Sequence, residues 1–267
     1  MTDDGAMRDR LLHAVKYVAA TEIMPRYLKV ARHHKSDGSL CTEADLAAQA
    51  ALSGMLRDIA PYPVLGEEMP VERQKALWLS GNDGLWCVDP IDGTFNFVNG
   101  LPYFAVSVAL LREGKPELGV VYDPVADEMF YAEKGKRAFL NGEALPIKTY
   151  CPELGGAMAC VDFKRLDRTM RERLAVSPPY RSQRNFGASA LDWCYVAAGR
   201  IDVYLHGGQK LWDYAAGSLI LEEAGGAMCT PDNDDFWRGE PWQRAVIAAL
   251  NPALFQAWKN WVRNAGR

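Results

Sequence analysis

The densest chemistry in the chain lies in Leu85-Trp-Cys-Val-Asp89-Pro-Ile-Asp92-Gly-Thr94-Phe-Asn-Phe97. An apolar run read as a strand ends on Asp89, Pro90 fixes a turn, and Asp92 follows three positions after Asp89. Two carboxylates at the end of a buried strand repel each other and are costly to desolvate unless a cation lies between them. Oxygen donors without a His or Cys ligand set suit a hard ion such as Mg²⁺. Gly93 lets the backbone approach a ligand closely, and Thr94 opens a short helix whose free N–H groups can hold an anion. Metal beside an anion cradle describes a phosphate site. Taken alone, the string is also an ordinary Asp-Pro-x-Asp-Gly turn whose carboxylates cap and solvate it.

Other acidic residues extend the pattern. Glu67 and Glu68 follow Pro63-Val-Leu-Gly66, which puts one of them at a second strand end, although Gly-Glu-Glu is equally a solvated charge pair. Asp213 stands in Lys210-Leu-Trp-Asp-Tyr-Ala-Ala-Gly217 at the start of a strongly apolar helix, where Asp also serves as an N-cap. A helix start aimed at a metal would serve both uses. Thr42-x-x-Asp45 has the spacing of a capping box.

The elements that must position these residues change in texture near residue 150. Leu11, Val15, Val18 and Ile23 recur at helical spacing until Pro25, and residues 32–41 read as a polar loop. A second helix runs from Thr42 to before Pro61. Strand signals then dominate over 63–65, 85–88, 105–111, 118–122 and 128–132, with a tight turn at Asn141-Gly142. Beyond residue 150, strands near 156–161, 181–185, 201–205, 227–230 and 245–248 alternate with helices over 166–174, from about 188, over 213–224 and from Pro252. The reading is an α+β half over 1–150 that carries the metal and phosphate motifs. An α/β half over 151–267 carries the substrate segment and Asp213. No linker separates them, so they should share an interface.

Composition bounds the function. With 30 Lys+Arg against 34 Asp+Glu the net charge is −4 over 267 residues, and no basic block occurs, so stable nucleic-acid or anionic-membrane binding is not expected. No apolar run approaches the ~18 residues of a membrane span. The charged N-terminus and six cysteines without a C-x-x-C pair predict reduced thiols in a cytoplasmic protein. The four histidines lack an H-E-x-x-H pattern, which argues against zinc.

Taken in order and at these intervals, Thr42-x-x-Asp45, Gly66-Glu67-Glu68, Asp89-Pro-Ile-Asp92-Gly-Thr94-x-Asn-Phe97 and Trp212-Asp213-x-Ala-Ala-Gly217 resemble the inositol monophosphatase family. The resemblance runs from the first helix nearly to the C-terminus. It implies a layered α-β-α-β-α sandwich and a lithium-sensitive phosphoric monoester hydrolase that uses two or three Mg²⁺ ions, works as a homodimer and acts on a small phosphorylated metabolite. By matching position, Glu67, Asp89 and the Ile91 carbonyl resemble ligands of a first metal. Asp89, Asp92 and Asp213 resemble ligands of a second. Gly93 and Thr94 would bind phosphate, with Asp92 and Asp213 also facing the substrate. Thr94 paired with Asp45 resembles the dyad that orients the attacking water, with Glu67 as a further catalytic residue. Lys35 resembles a loop lysine near a weaker third metal. A two-metal site of this kind acidifies a water and stabilises the leaving oxygen, with no covalent phospho-enzyme.

On the substrate side, Gly187-Ala188-Ser189 resembles the segment whose backbone contacts substrate. Two departures stand out. Phe95 replaces a frequent second Thr and reads as a packing change. His206 replaces a Glu that binds inositol hydroxyls, which predicts that His206 reads a different substrate and that inositol 1-phosphate is a poor one. Histidinol-phosphate, fructose-bisphosphate or 3′-phosphonucleotide phosphatases are the enzymatic alternatives. The non-enzymatic one is a regulatory module of the same fold that binds RNA or protein.

Overall fold

The apolar stripe of the first helix and the Thr42 capping signal both lead to helices that cover one face of a sheet. The structure is a computed structural model that describes residues 4–29, 33–34, 40–149 and 151–264. Helix α1 (Asp4–Val18) continues as a π turn over Ala19–Ile23, and Pro25 follows its end. A two-residue ladder pairs β1 (His33–His34) with β2 (Leu40–Cys41), and α2 spans Glu43–Ile59. Leu11, Val15, Ala48, Leu52 and Leu56 are buried between α1, α2 and the sheet beneath.

That sheet has seven strands in the order β3 (Val64–Gly66), β4 (Leu85–Asp92), β5 (Ala105–Arg112), β6 (Lys115–Asp123), β7 (Glu128–Glu133), β8 (Ala138–Leu140) and β9 (Glu143–Ala144). Only the β3–β4 pair is parallel. Asn141 and Gly142 turn the β8–β9 hairpin, both at positive φ, as the dipeptide predicts. Two helices interrupt the strand run: α3 (Val71–Ser80), which sequence patterning missed because its apolar face is weak, and α4 (Thr94–Asn99).

The remaining residues build a five-stranded sheet, β11-β10-β12-β14-β13, from β10 (Met158–Asp162), β11 (Ser182–Arg184), β12 (Val203–Gln209), β13 (Ala227–Cys229) and β14 (Arg244–Ala249). Its outer face is covered by α5 (Arg168–Val176) and α8 (Pro252–Arg263) through Met170, Leu174, Leu254 and Trp258. Between the two sheets lie α6 (Ser189–Ala197) and α7 (Leu211–Glu223), which bury apolar residues on both sides. The layers therefore run helix, sheet, helix, sheet, helix, as the resemblance implied. Among the described residues no helix is long and apolar enough to cross a membrane.

Candidate active site

Strand β4 is buried along its whole length, so its two aspartates need a reason to be there. The strand does not end on Asp89, as the sequence reading expected; it continues to Asp92 through a bulge. Asp89 pairs with Ser107 and Asp92 with Ala105, so β4 advances three residues while β5 advances two. Residues three apart on a regular strand face opposite sides, and one extra residue restores a common face. Pro90, which has no N–H for a ladder, occupies that irregular stretch. Asp89 and Asp92 consequently point together toward the α6–α7 layer, while Ile91 enters the core under α1 and α2.

Asp213, in the first turn of α7, completes the group. Ligand-capable atoms of Asp89, Asp92 and Asp213 all lie within 4.8 Å of one another. Each carboxylate also accepts a backbone N–H: Ile91 N to Asp89 Oδ1 at 3.1 Å, Ala190 N to Asp92 Oδ2 at 2.6 Å, and Lys210 N to Asp213 Oδ2 at 2.8 Å. Asp213 is thus not the N-cap of α7; it stands three residues inside and reaches back to the N–H of Lys210, the residue that occupies the cap. Burial, then the neighbouring charge of Glu67, pushes the Asp213 carboxyl up to about 7. Burial and the charges of Glu67, Asp92 and Asp213 drive Asp89 well above the usual carboxylate range. Asp92 rises for the same reasons, with Asp213 as its main charged neighbour. Three close carboxylates at the base of a cleft cannot all ionise at neutral pH without a cation, and the group contains no His or Cys. The donor set therefore fits a hard, oxygen-preferring ion.

Glu67 follows the end of β3, where its N–H bonds Val88 O at 3.1 Å. The buried Gln74 of α3 fixes this strand end by donating to Gly66 O at 2.9 Å and Glu67 O at 3.1 Å. Beside the carboxylates, Gly93 adopts φ +87°, and a Cβ there would meet Ala188 Cβ at 2.9 Å. Thr94 Oγ1 donates to Ile91 O at 3.0 Å and lies 3.4 Å from Asp45 Oδ1. Asp45 Oδ2 accepts from Thr42 N at 2.7 Å and Thr42 Oγ1 at 2.6 Å, so the capping box forms and its acid also faces Thr94. Burial pushes the Asp45 carboxyl up to about 7 against those bonds. Asn96 closes the loop by donating to Tyr103 O and Phe186 O, both at 2.7 Å, which sets Gly187 beside the cluster. Phe95, read from sequence as a packing change, is instead 64% exposed.

A cavity of about 330 Å³ opens from Asp92 and Asp213. Gly187, Ser189 and His206 line it, as the sequence predicted, while Ala188 lies buried behind Gly93. Asp162, Arg165, Asn185, Asp192, Lys210 and Gln243 also line it and were not anticipated; Lys210 opens the string that carries Asp213 but was given no role there. Register would have found one: Asp162 pairs with His206 across β10 and β12. His206 Nε2 lies 3.2 Å from Asp162 Oδ2, and Nδ1 accepts from Gly208 N at 3.1 Å. Both ring nitrogens are therefore satisfied by the chain itself. Lys35 lies outside the described residues.

The sequence profile of the inositol monophosphatase family matches residues 8–262. A protein named Nus factor SuhB from Pasteurella multocida is 39% identical over 201 residues, 73% of this chain and 73% of its own. Inositol monophosphatase 2 of Solanum lycopersicum is 36% identical over 236 residues, 85% of this chain and 86% of its own. Among solved structures, an inositol monophosphatase from Thermotoga maritima superposes with a TM-score of 0.81 at 30% identity, covering 96% of each chain.

Proposed function

The chain belongs to the inositol monophosphatase family, a phosphatase family, and from that premise we propose that it hydrolyses a small polyol or sugar phosphate monoester with Mg²⁺ as its metal. The observation that carries the proposal is the convergence of Asp89, Asp92 and Asp213 within 4.8 Å in a setting that penalises their charge. In this reading Asp89, Asp92, Asp213, Glu67 and the Ile91 carbonyl would hold two ions. When bound, the ions supply positive charge for the phosphoryl group and lower the pKa of water.

The chain's own groups do the rest. The Gly93 and Thr94 backbone, kept open because no Cβ stands at position 93, receives the phosphate. Thr94 Oγ1, between Ile91 O and Asp45, is placed to orient the attacking water, and Asp45 fixes that hydroxyl's direction. Gly187 and Ser189 hold the organic part from the opposite wall. His206 forms wall rather than a hydrogen-bonding reader, because its nitrogens are already engaged. The proposal also includes a cytoplasmic homodimer.

The test is phosphate release from a panel of phosphate esters. Release should require Mg²⁺, stop in EDTA and fall in millimolar Li⁺. Full activity in EDTA rejects the metal chemistry, and indifference to Li⁺ removes only the lithium sensitivity. A second reading has its own support: several relatives carry the name Nus factor SuhB, which points to a regulatory role with a protein or RNA partner. The intact carboxylate group favours the enzyme, and absence of turnover across the panel would favour the regulator.

A further inference from the structure

We propose that the cavity beside the carboxylate cluster selects phosphate monoesters bearing a second anionic group, held by Arg165 and Lys210. This deepens the phosphatase reading and rests on it. The argument is an inventory of which polar groups on the cavity wall are already engaged. Asp162 accepts from Lys164 N at 2.9 Å and faces His206 Nε2 at 3.2 Å. Asp192, 4% exposed, accepts from Tyr103 OH at 3.0 Å and from the Cys160 thiol. His206 has no nitrogen left. The acceptors that would welcome a polyol's hydroxyl donors are thus largely occupied by the chain.

The cationic donors are not. Arg165 follows β10 and Lys210 caps α7, and both line the cavity. Among the described residues, neither side chain forms an ion pair or a hydrogen bond. The backbone fixes this arrangement. Between His206 and Gln209 the β12–β14 register slips, and a Cβ at Gly207 would collide with Arg165 O. The chain therefore packs directly against the turn that carries Arg165, and the His206–Gly208 bond pins the slipped segment leading to Lys210. Two cations on one cavity wall that form no ion pair or hydrogen bond among the described residues suit a carboxylate or a second phosphate, through charge-assisted hydrogen bonds. The amides of Asn185 and Gln243 on the same wall add donors without adding charge.

The experiment compares matched esters on the full chain with Mg²⁺. In the carboxylate arm, 3-phosphoglycerate is set against glycerol 3-phosphate. In the phosphate arm, fructose 1,6-bisphosphate is set against fructose 1-phosphate. The expected kcat/KM preference for the member with the second anionic group is about tenfold or more, the effect of one charge-assisted hydrogen bond. Preference in one arm identifies the group, and preference in both identifies charge alone. The Arg165→Gln/Lys210→Gln double variant should collapse the preference chiefly through KM, and Lys210→Arg should retain it. Hydrolysis of both members at equal kcat/KM, or a preference untouched by the double variant, overturns this inference while leaving the phosphatase reading intact. No turnover of any ester overturns both.

Discussion

Helix α7 separates two buried charge centres that the chain treats in opposite ways. Asp213 faces Asp89 and Asp92, a group that is short of positive charge. One residue on, Tyr214 faces Arg244, a guanidinium 4% exposed that is short of nothing. Arg244 Nε donates to Tyr214 OH at 3.1 Å, Nη1 to Phe236 O and to Arg238 O at 3.0 Å, and Nη2 to Gly239 O at 3.2 Å and Glu240 O at 3.1 Å. The rings of Phe236, Tyr214 and Trp237 surround it at 5.3, 5.6 and 5.9 Å. Among the described residues no carboxylate takes part, yet every N–H is used. Residues 236–240 are thereby tied to β14, and Tyr214 OH completes the node by donating to Pro241 O at 2.9 Å. A buried charge satisfied from within supports structure; one left wanting an outside partner marks function.

The difference can be broken most sharply at Asp89. Asp89→Asn should lower kcat at least about a thousandfold, a barrier increase of ~4 kcal/mol, because under the proposed function the carboxylate that would be shared by two ions loses its charge. The metal-free variant should melt no lower than the wild type, since one repelling charge is gone. A variant that keeps a tenth of wild-type kcat would rule out the proposed bridging role of Asp89. Arg244→Met should do the reverse. It strands several buried carbonyls and the Tyr214 hydroxyl, costing about 3 kcal/mol in urea unfolding, while kcat of the folded fraction stays near wild type. Loss of activity without loss of stability there would make Arg244 part of the active site.

These two centres were unequally legible in the sequence. Asp89, Asp92 and Asp213 sit in short strings whose residue types conflict with burial, and such conflict can be read without coordinates. The strands over 105–111 and 118–122 and the apolar helix after Asp213 were legible from residue patterning, whereas the layered arrangement of the elements was implied only by the family resemblance. Arg244 was invisible because its partners are carbonyls, which any sequence supplies. Arg165 and Lys210 were missed because what matters is that both line the cavity without forming an ion pair or hydrogen bond among the described residues, which only three-dimensional placement reveals. The β4 bulge was misread as a strand end, since Pro90 signals a turn and a bulge alike.

Proton linkage gives a smaller and independent probe. In the metal-free protein Asp213 is raised to about 7, and Asp89 and Asp92 stand well above their ordinary range. Carboxylates that hold protons more tightly when folded make stability fall as pH rises from the unfolded value through the folded one. Metal-free stability should therefore drop between pH 5 and pH 8, by something on the order of 2 kcal/mol once solvent screening at the half-open Asp213 is allowed for. Burial also raises Asp45 and Asp192 to about 7, so both add to this fall, while the surface carboxylates Asp127 and Asp234, held low by Lys16 and Arg263, titrate below the window. Mg²⁺ should restore more stability at pH 8 than at pH 5, read as thermal midpoints with and without the ion. Equal restoration at both values would mean that the cluster is not where the ion binds.

The His206–Asp162 pair lies between the two extremes, buried in part and satisfied from within, yet on the cavity wall. Burial pushes Asp162 up, but the hydrogen bond and charge of His206, with the Lys164 N–H, outweigh it and hold the carboxyl below its usual range. His206→Glu replaces that partner with a second carboxylate beside Asp162. Repulsion then raises both carboxyls when folded, so the variant should lose stability relative to wild type as pH rises from 5 to 8, by about 1 kcal/mol at a site open to water on one side. If His206 reads substrate hydroxyls, the same swap should favour inositol 1-phosphate at the expense of the preferred ester. If it is wall, the kcat/KM ratio of those two substrates should move less than it does in the Arg165→Gln/Lys210→Gln variant. Denaturation at both pH values together with kinetics on both substrates separates the cases: a large change of ratio without the pH-dependent loss returns His206 to the substrate.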